Sequence, residues 1–376
     1  MIRILHIVPD IDGGGVGSVV YNYFSHMNKE GISIDILTSD HGRKQFLEEK
    51  FSKCGVNVIT IIPRKEDLIA HFKAVESVIK SGKYVIIHSH EQNWSYFYLR
   101  LAKKYNVQVR IAHSHLTEQN RDKLKIGILN CLNPLLKSIT TGYFACGEKA
   151  GKYMWGDRIV NSQNLYVMNN AIDINHFRFC DKTRTEYRNR LGVSNKTVIG
   201  HVGRFDQQKN HAFLINVFYK YKRLHNNAVL VLIGTGTLEH EIHRQAEQYG
   251  IGDDVLFLGL RDDVAELFNS FDCFVLPSLY EGLPVVGIEA QTNGVPCVFS
   301  DAITDEVKLL DSTTFLSLNE SDDKWCAEIE YAMLKSKNRE NAYLIAAQKG
   351  FSIDIEAERL KDYYITNARK LGSTGR

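Results

Sequence analysis

The chain reads as an α/β protein built from two successive doubly wound units, each a parallel sheet covered by helices. Three observations predict this. Short apolar runs of strand length alternate with helical patterns along the chain, and strands separated by helices pair in parallel. The alternation stops at a polar stretch and restarts near residue 190. The length, 376 residues, suits two domains at roughly 150 residues each.

Residues 2–8 open the first unit as a strand, an apolar run that soon meets Pro9 and Asp10. It is too short for a secretion signal. Residues 18–27 place Val19, Val20, Tyr23 and Phe24 at helical spacing, so one face turns inward. Strands follow at 32–38 and 56–62, a helix at 68–81, and strands at 84–90 and 107–115. In the second unit, residues 197–203 form a strand and 211–224 a helix. Further strands lie at 229–234, 255–258, 273–277 and 295–300. The boundary is expected within the polar, strand-poor stretch 172–196, dividing a domain of 1–175 from one of 176–354. A last helical pattern, about 355–371, can pack on either domain, including back on the first.

Composition excludes several classes. Hydrophobic residues make up 44% and charged residues 24%, as in ordinary globular proteins. The formal net charge is +2, and no aromatic-basic interleaving argues for nucleic acid. The seven cysteines are odd in number and widely spaced, with no Cys-x-x-Cys, which argues against a disulfide framework and for a reducing, cytoplasmic compartment. No run reaches the roughly 20 apolar residues a membrane span needs.

The most informative segment is 277–298, PSLYEGLPVVGIEAQTNGVPCV. A strand ends at Pro277 and a loop carries Glu281 and Gly282. Pro284 suits a helix start, and Gly294 suits the position after its end. Glu289 then lies about 8 Å inside that helix at 1.5 Å per residue. The free N–H groups at the helix start suit a diphosphate, and the two carboxylates suit sugar and ribose hydroxyls on either side. Without further context, the same glutamates would serve as a helix cap and a surface residue. A second segment, HVGRFDQQKNH at 201–211, places Arg204 and Lys209 in a loop after a strand. Two fixed cations there can neutralise a diphosphate leaving group in place of a metal; alone, they read equally as a solvated loop.

Gly203-Arg204-x4-Lys209-Asn210, then Gly234-x-Gly236, Phe257-Leu258-Gly259, Glu281-Gly282-Leu283-Pro284 and Glu281-x7-Glu289 together resemble the retaining glycosyltransferases of family four. The order and spacing match across the C-terminal half, and the flavour is that of bacterial capsular and exopolysaccharide enzymes. The resemblance implies GT-B architecture, two Rossmann-like domains facing across a cleft. It implies that Arg204 and Lys209 bind the donor diphosphate, that Glu281 contacts the transferred sugar with the backbone of Gly282 and Leu283 beside it, and that Glu289 holds the ribose. Gly203 and Gly234 count among the donor-binding residues, and the backbone near Leu260 would border the base. One departure stands out: the usual Asn-Gly-x-Asp appears as Asn170-Ala171-Ile172-Asp173, and Ala removes easy access to positive φ.

In the N-terminal half, Asp12-Gly13-Gly14-Gly15-Val16-Gly17-Ser18 lacks the Lys of a phosphate loop and is not a clean dinucleotide fingerprint. It reads as a turn, or through the resemblance as a loop near donor phosphate and acceptor, with Gly14 and Gly15 as candidates. His88-Ser89-His90 and His113-Ser114-His115 each end a strand, where residues i and i+2 share a face. Two such pairs can in principle hold zinc, but no carboxylate motif accompanies them, and buried or rim histidines are the commoner reading. The resemblance makes His115, with His113 close behind, a hydrogen-bond partner of the transferred sugar. Residues 123–141 form an apolar segment with cationic rims, a helix buried on the sheet or a surface for peripheral membrane contact.

The implied activity moves a sugar from a nucleotide-diphosphate donor, a UDP-sugar by preference, to a glycan or lipid-linked acceptor in cell-surface polysaccharide synthesis. No metal and no cofactor beyond the donor substrate is expected. Retention can proceed through a carboxylate nucleophile, but the N-terminal motifs offer none. The resemblance implies same-face attack, with the leaving phosphate taking the proton. His115, Arg204, Lys209 and Glu281 are then the catalytic candidates. Two other classes share the architecture: a nucleotide-sugar 2-epimerase, and a non-catalytic nucleotide-sugar-binding subunit.

Overall fold

A computed structural model describes residues 1–12, 15–115, 131–336 and 338–370. The chain divides into two compact units: Met1–Ala171 with Ser352–Arg376, and Ile172–Phe351. Each is a parallel α/β unit, as the alternation of runs predicts.

The first unit holds β1 (Ile2–Ile7), β2 (Ile32–Ser39), β3 (Asn57–Ile61), β4 (Ile86–Ser89), β5 (Val109–Ser114), β6 (Gly142–Ala145) and β7 (Leu165–Val167). Their order is β3-β2-β1-β4-β5-β6-β7, with every pair parallel. The sheet reverses direction of growth between β1 and β4, and ligands in open α/β sheets sit outside the carboxyl ends at such a point. Leu5, Ile7, Leu37, Ile87, Tyr98 and Trp155 lie in its core.

The second unit holds β8 (Thr197–Val202), β9 (Ala228–Ile233), β10 (Val255–Phe257), β11 (Cys273–Leu276), β12 (Cys297–Ser300) and β13 (Thr313–Leu316). The order is β10-β9-β8-β11-β12-β13, all parallel, with the switch point between β8 and β11. β9 is buried along its whole length, which is why it reads as a continuous apolar run rather than an alternating one. Phe218, Tyr221, Leu230, Leu232 and Trp325 lie in this core.

Sequence periodicity misses β6, β7 and β13, of four, three and four residues. The two units divide at Ala171–Ile172 and Phe351–Ser352, four and three residues before the expected limits of 175 and 354. The polar stretch after that division is structured. It forms the helix Asp181–Arg190, whose Arg184 donates to the carbonyls of Asn269 and Phe271 and whose Arg188 donates to that of Ser270. Both also pair with Asp272. The cations cap the carbonyl end of the helix Val264–Ser270, where its dipole favours positive charge.

The last helix, Ile353–Lys370, belongs to the first unit and buries Ala357, Leu360 and Tyr364 there. Ala171 is fully buried and is not among the residues with positive φ, so no glycine conformation is required at that departure. Among the described residues, no helix is long and apolar enough to cross a membrane. Residues 123–130 of the apolar segment lie outside the described residues. Its remainder includes the helix Asn133–Ile139, which buries Leu136 and Ile139 and leaves Leu135 about half exposed.

Candidate active site

The second unit's candidate residues gather at the carboxyl ends of β8 and β11. Backbone contacts fix the loops there. Gly203 N donates to Ile233 O, Gly234 N to Gly259 O, Phe205 N to Thr235 O, and Leu238 N to Phe205 O. This stitching needs bare glycine at position 234. Its φ is +134°, and a Cβ there would stand 2.1 Å from Gly203 O. Gly203 also runs close: a Cβ on it would lie about 3 Å from His201 Nε2 and the Lys209 stem.

On this platform Lys209 Nζ pairs with Glu281 Oε1 at 2.5 Å, their side chains 16% and 10% exposed. Ser278 Oγ donates to the same oxygen at 3.0 Å, and Gln208 Nε2 to Oε2 at 3.2 Å. Asp206 Oδ1 accepts from Lys209 N, and Leu279 N donates to Gln208 O. The β8 and β11 loops are thereby tied together. A nearly desolvated ion pair with this many supporting bonds is a fixed object rather than a surface flicker. Arg204 is exposed, and among the described residues no partner holds its guanidinium.

The helix Val285–Thr292 follows Pro284, as its sequence predicts. Its end is a left-handed glycine cap: Gly294 has φ +80°, with Gly294 N on Gln291 O and Val295 N on Ala290 O. Glu289 is partly buried. Burial pushes its carboxyl up to about 7, with Lys209 pulling the other way. Among the described residues, no hydrogen-bond donor reaches that carboxylate. Lys209 thus stands electrostatically between the two glutamates. Leu283 is buried, Gly282 half-buried, and Leu260 69% exposed.

Three residues here escaped sequence reading. Gln291, fully buried, donates to Gly287 O and Val307 O and accepts from Leu309 N, Leu310 N and Thr313 Oγ1. It anchors the helix that carries Glu289. His201 and His211 lie buried near Lys209, pushed by burial down to about 4 and about 2. The His201 ring donates through Nδ1 to Val275 O, and among the described residues its Nε2 has no partner. The His-x-Gly-Arg start of the segment was the available signal for His201.

In the first unit, Gly14 lies outside the described residues. Gly15 begins the helix Gly15–His26 and faces open space. The close backbone approach is instead at Gly17, where a Cβ would stand 3.0 Å from Asp10 O. The strand-end histidines do come together, and with more company than their motifs reveal. His6 of β1, His88 and His90, His113 and His115 line one side of neighbouring strand ends. The rings of His88 and His90 are 4.4 Å apart and those of His113 and His115 3.9 Å. Tyr364 of the last helix bonds both His6 and His88. Burial lowers all five imidazoles, His6 and His115 to about 3 and the others well below the ordinary range. Two overlapping triads, His6–His88–His90 and His90–His113–His115, bring ligand nitrogens within 4.8 Å of one another; geometrically they are the places a cation could be held.

Residues 183–349 match the family model described as glycosyl transferases group 1, and residues 13–176 match that of glycosyltransferase family 4. The chain is 32% identical over 377 residues to a putative glycosyltransferase, EpsF, of Bacillus subtilis, covering 98% of this chain and 97% of that protein. It is 24% identical to an Escherichia coli galactosyltransferase named as acting on α-D-GlcNAc-diphosphoundecaprenol with UDP-Gal, covering 97% of each. Among solved structures, Anabaena HepE in complex with UDP-glucose superposes with a TM-score of 0.76 at 18% identity, covering 99% of this chain and 100% of that one. That structural likeness shows the GT-B fold.

Proposed function

The chain belongs to the group 1 and family 4 glycosyltransferases, and on that premise we propose that it transfers a sugar from a UDP-sugar to a glycan or lipid-linked acceptor in polysaccharide synthesis, with retention and without a metal. The observation that carries this reading is the Lys209–Glu281 pair, held beside Glu289 at the switch point of the second sheet. At rest, each charge satisfies the other. A donor's diphosphate competes for Lys209 and the exposed Arg204, and the sugar's hydroxyls satisfy Glu281 as it is released. Glu289 takes the ribose diol. The cations and the N–H groups at the start of the helix Val285–Thr292 stabilise the departing diphosphate. Chemistry then needs positioning more than a protein nucleophile. In the first unit, His115 offers a hydrogen bond to the transferred sugar. The names of the relatives support a UDP-sugar and a lipid-linked acceptor by similarity.

The test is acceptor-dependent UDP release by the wild type and by Lys209→Ala and Glu281→Ala. Each variant is expected to lose at least about 100-fold in turnover, the scale of one lost charge-stabilising group, while it keeps its folded circular-dichroism spectrum and melts at a lower temperature because the buried pair is broken. Turnover at the wild-type level in either variant refutes the assignment. UDP-sugar conversion that ignores the acceptor would point to the epimerase class. Co-sedimentation with anionic vesicles at low salt tests the peripheral membrane contact proposed for residues 123–141; no binding removes it.

A further inference from the structure

A second polar pocket lies at the opposite end of the second sheet from the donor loops. Thr197 begins β8, Asn227 stands just before β9, Asp272 before β11 and Pro296 before β12, and all four line it. Its volume is about 570 Å³, within the range of about 300–1,000 Å³ found for small-molecule sites. Thr197 and Gly203 mark the two ends of one extended run, about 20 Å apart at about 3.3 Å per residue.

The lining is unbalanced in charge. Arg184, Arg188, Lys196 and Arg339 stand against two carboxylates, Asp272 and Glu330, which leaves two positive charges unmatched. Both carboxylates are already engaged. Asp272 accepts from Arg184, from Arg188 Nη1 at 3.1 Å and from Val198 N at 2.8 Å. Glu330 Oε1 accepts from Tyr221 OH at 3.2 Å and pairs with His225 Nε2 at 2.8 Å.

Helix capping uses part of this positive charge and not the rest. Arg188 commits both Nη atoms to carbonyls and to Asp272. Arg339 bonds only neutral oxygens, those of Phe268, Phe271 and Asn293. Loss of hydration, and after it the nearby Arg184 charge, hold its guanidinium below the usual arginine range. A charge withdrawn from water without a counter-charge is costly. Arg184 spends Nη1 on the carbonyls of Asn269 and Phe271 and one N–H of Nη2 on Asp272. Among the described residues, its Nε–H holds no partner. Lys196 is partly exposed, and among the described residues its ammonium holds no partner either.

We propose that this pocket is a second anion site, which takes a small molecule through a phosphate-type group held by Arg184 and Lys196. A tetrahedral dianion supplies the two missing charges. Arg184 gives it a planar N–H donor and Lys196 a point charge. A phosphate monoester carries about 1.5 to 2 negative charges at pH 7, whereas a monocarboxylate carries one. Arg188 and Arg339 add field rather than bonds, since carbonyls hold most of their N–H groups. A bound anion fastens the helix Asp181–Arg190 through Arg184 and the start of β8 through Lys196. A ligand that binds only the folded arrangement suppresses local opening there.

The test is hydrogen exchange of the full chain with inorganic phosphate as the probe, at constant ionic strength. At about 10 mM the probe fills about nine-tenths of a site whose Kd is about 1 mM. Peptides spanning 181–197 are expected to gain protection, read separately from those spanning 203–211 at the donor end. Sulfate, also a tetrahedral dianion, is expected to act likewise, and acetate is not. Lys196→Ala alters a partly exposed side chain and leaves the helix caps in place. It is expected to move the phosphate midpoint about 10-fold higher, the scale of one lost hydrogen bond to a charged group, and Lys196→Arg is expected to restore it. Protection confined to 203–211, equal protection by acetate, or an unchanged midpoint in Lys196→Ala overturns the site.

Discussion

At the residue scale, Glu289 shows how function opposes stability. Its carboxyl is raised to about 7 in the folded chain by burial, against about 4.3 in an unfolded one. Between those values the folded state binds more protons than the unfolded, so this group's penalty grows as pH rises from about 4.3 and is full above about 7. Glu289→Gln is therefore expected to raise the melting temperature at pH 8, by an amount worth about 1–3 kcal/mol, and to change it little near pH 4.5. The same substitution is expected to weaken UDP binding, because a carboxylate accepting two ribose hydroxyls is lost. A variant less stable at pH 8 would show that burial is not what strains the native carboxyl. This pair of roles was partly legible. The spacing from Glu281 and the Pro and Gly around it place Glu289 on a helix behind a loop. The ion pair joining Lys209 to Glu281 is not legible, because the two lie 72 positions apart.

At the scale of elements, the donor-site loops depend on how closely the ends of β8 and β9 approach. Gly234 shares its space with a carbonyl rather than with a flexible side chain. Gly234→Ala is expected to destabilise the protein by about 3 kcal/mol or more, among the large single-residue effects, and to abolish donor binding with it. Full stability would mean that the loops separate without penalty. Gly294→Ala should cost less, about 1–2 kcal/mol, from the left-handed conformation alone, with a further amount for its approach to the Arg339 backbone. The sequence reveals both glycines because each ends an apolar element. It hides the role of Asp181–Arg190, since a highly polar helix looks like a connection until its arginines are seen capping another helix.

For the whole molecule, the buried histidines set the acid limit. Five in the first unit and two in the second have lowered values, while unfolded histidine titrates near 6.5. Below that value the unfolded chain binds protons that the folded chain refuses, so their contribution is complete above about 6.5 and is lost as pH falls. With five such groups against two, acidification costs the first unit more than the second. Hydrogen exchange at stepwise lower pH is expected to show first-unit peptides opening before those of the second. The opposite order would contradict this. The histidine pairs at the ends of β4 and β5 were legible as motifs. His6 and Tyr364 were not, for they stand 358 positions apart and neither sits in a motif. The doubly wound character was readable from alternation alone because buried parallel strands are long apolar runs. The edge strands β7 and β13 were missed: both are short and only partly buried, so no fully apolar run marks them. The proposed chemistry as a whole meets its most direct test in the anomeric proton of the product, followed by NMR during transfer from an α-linked UDP-sugar in excess EDTA. An α-linked product formed at an undiminished rate is expected; a β-linked product, or transfer that stops until a divalent metal is restored, would contradict it.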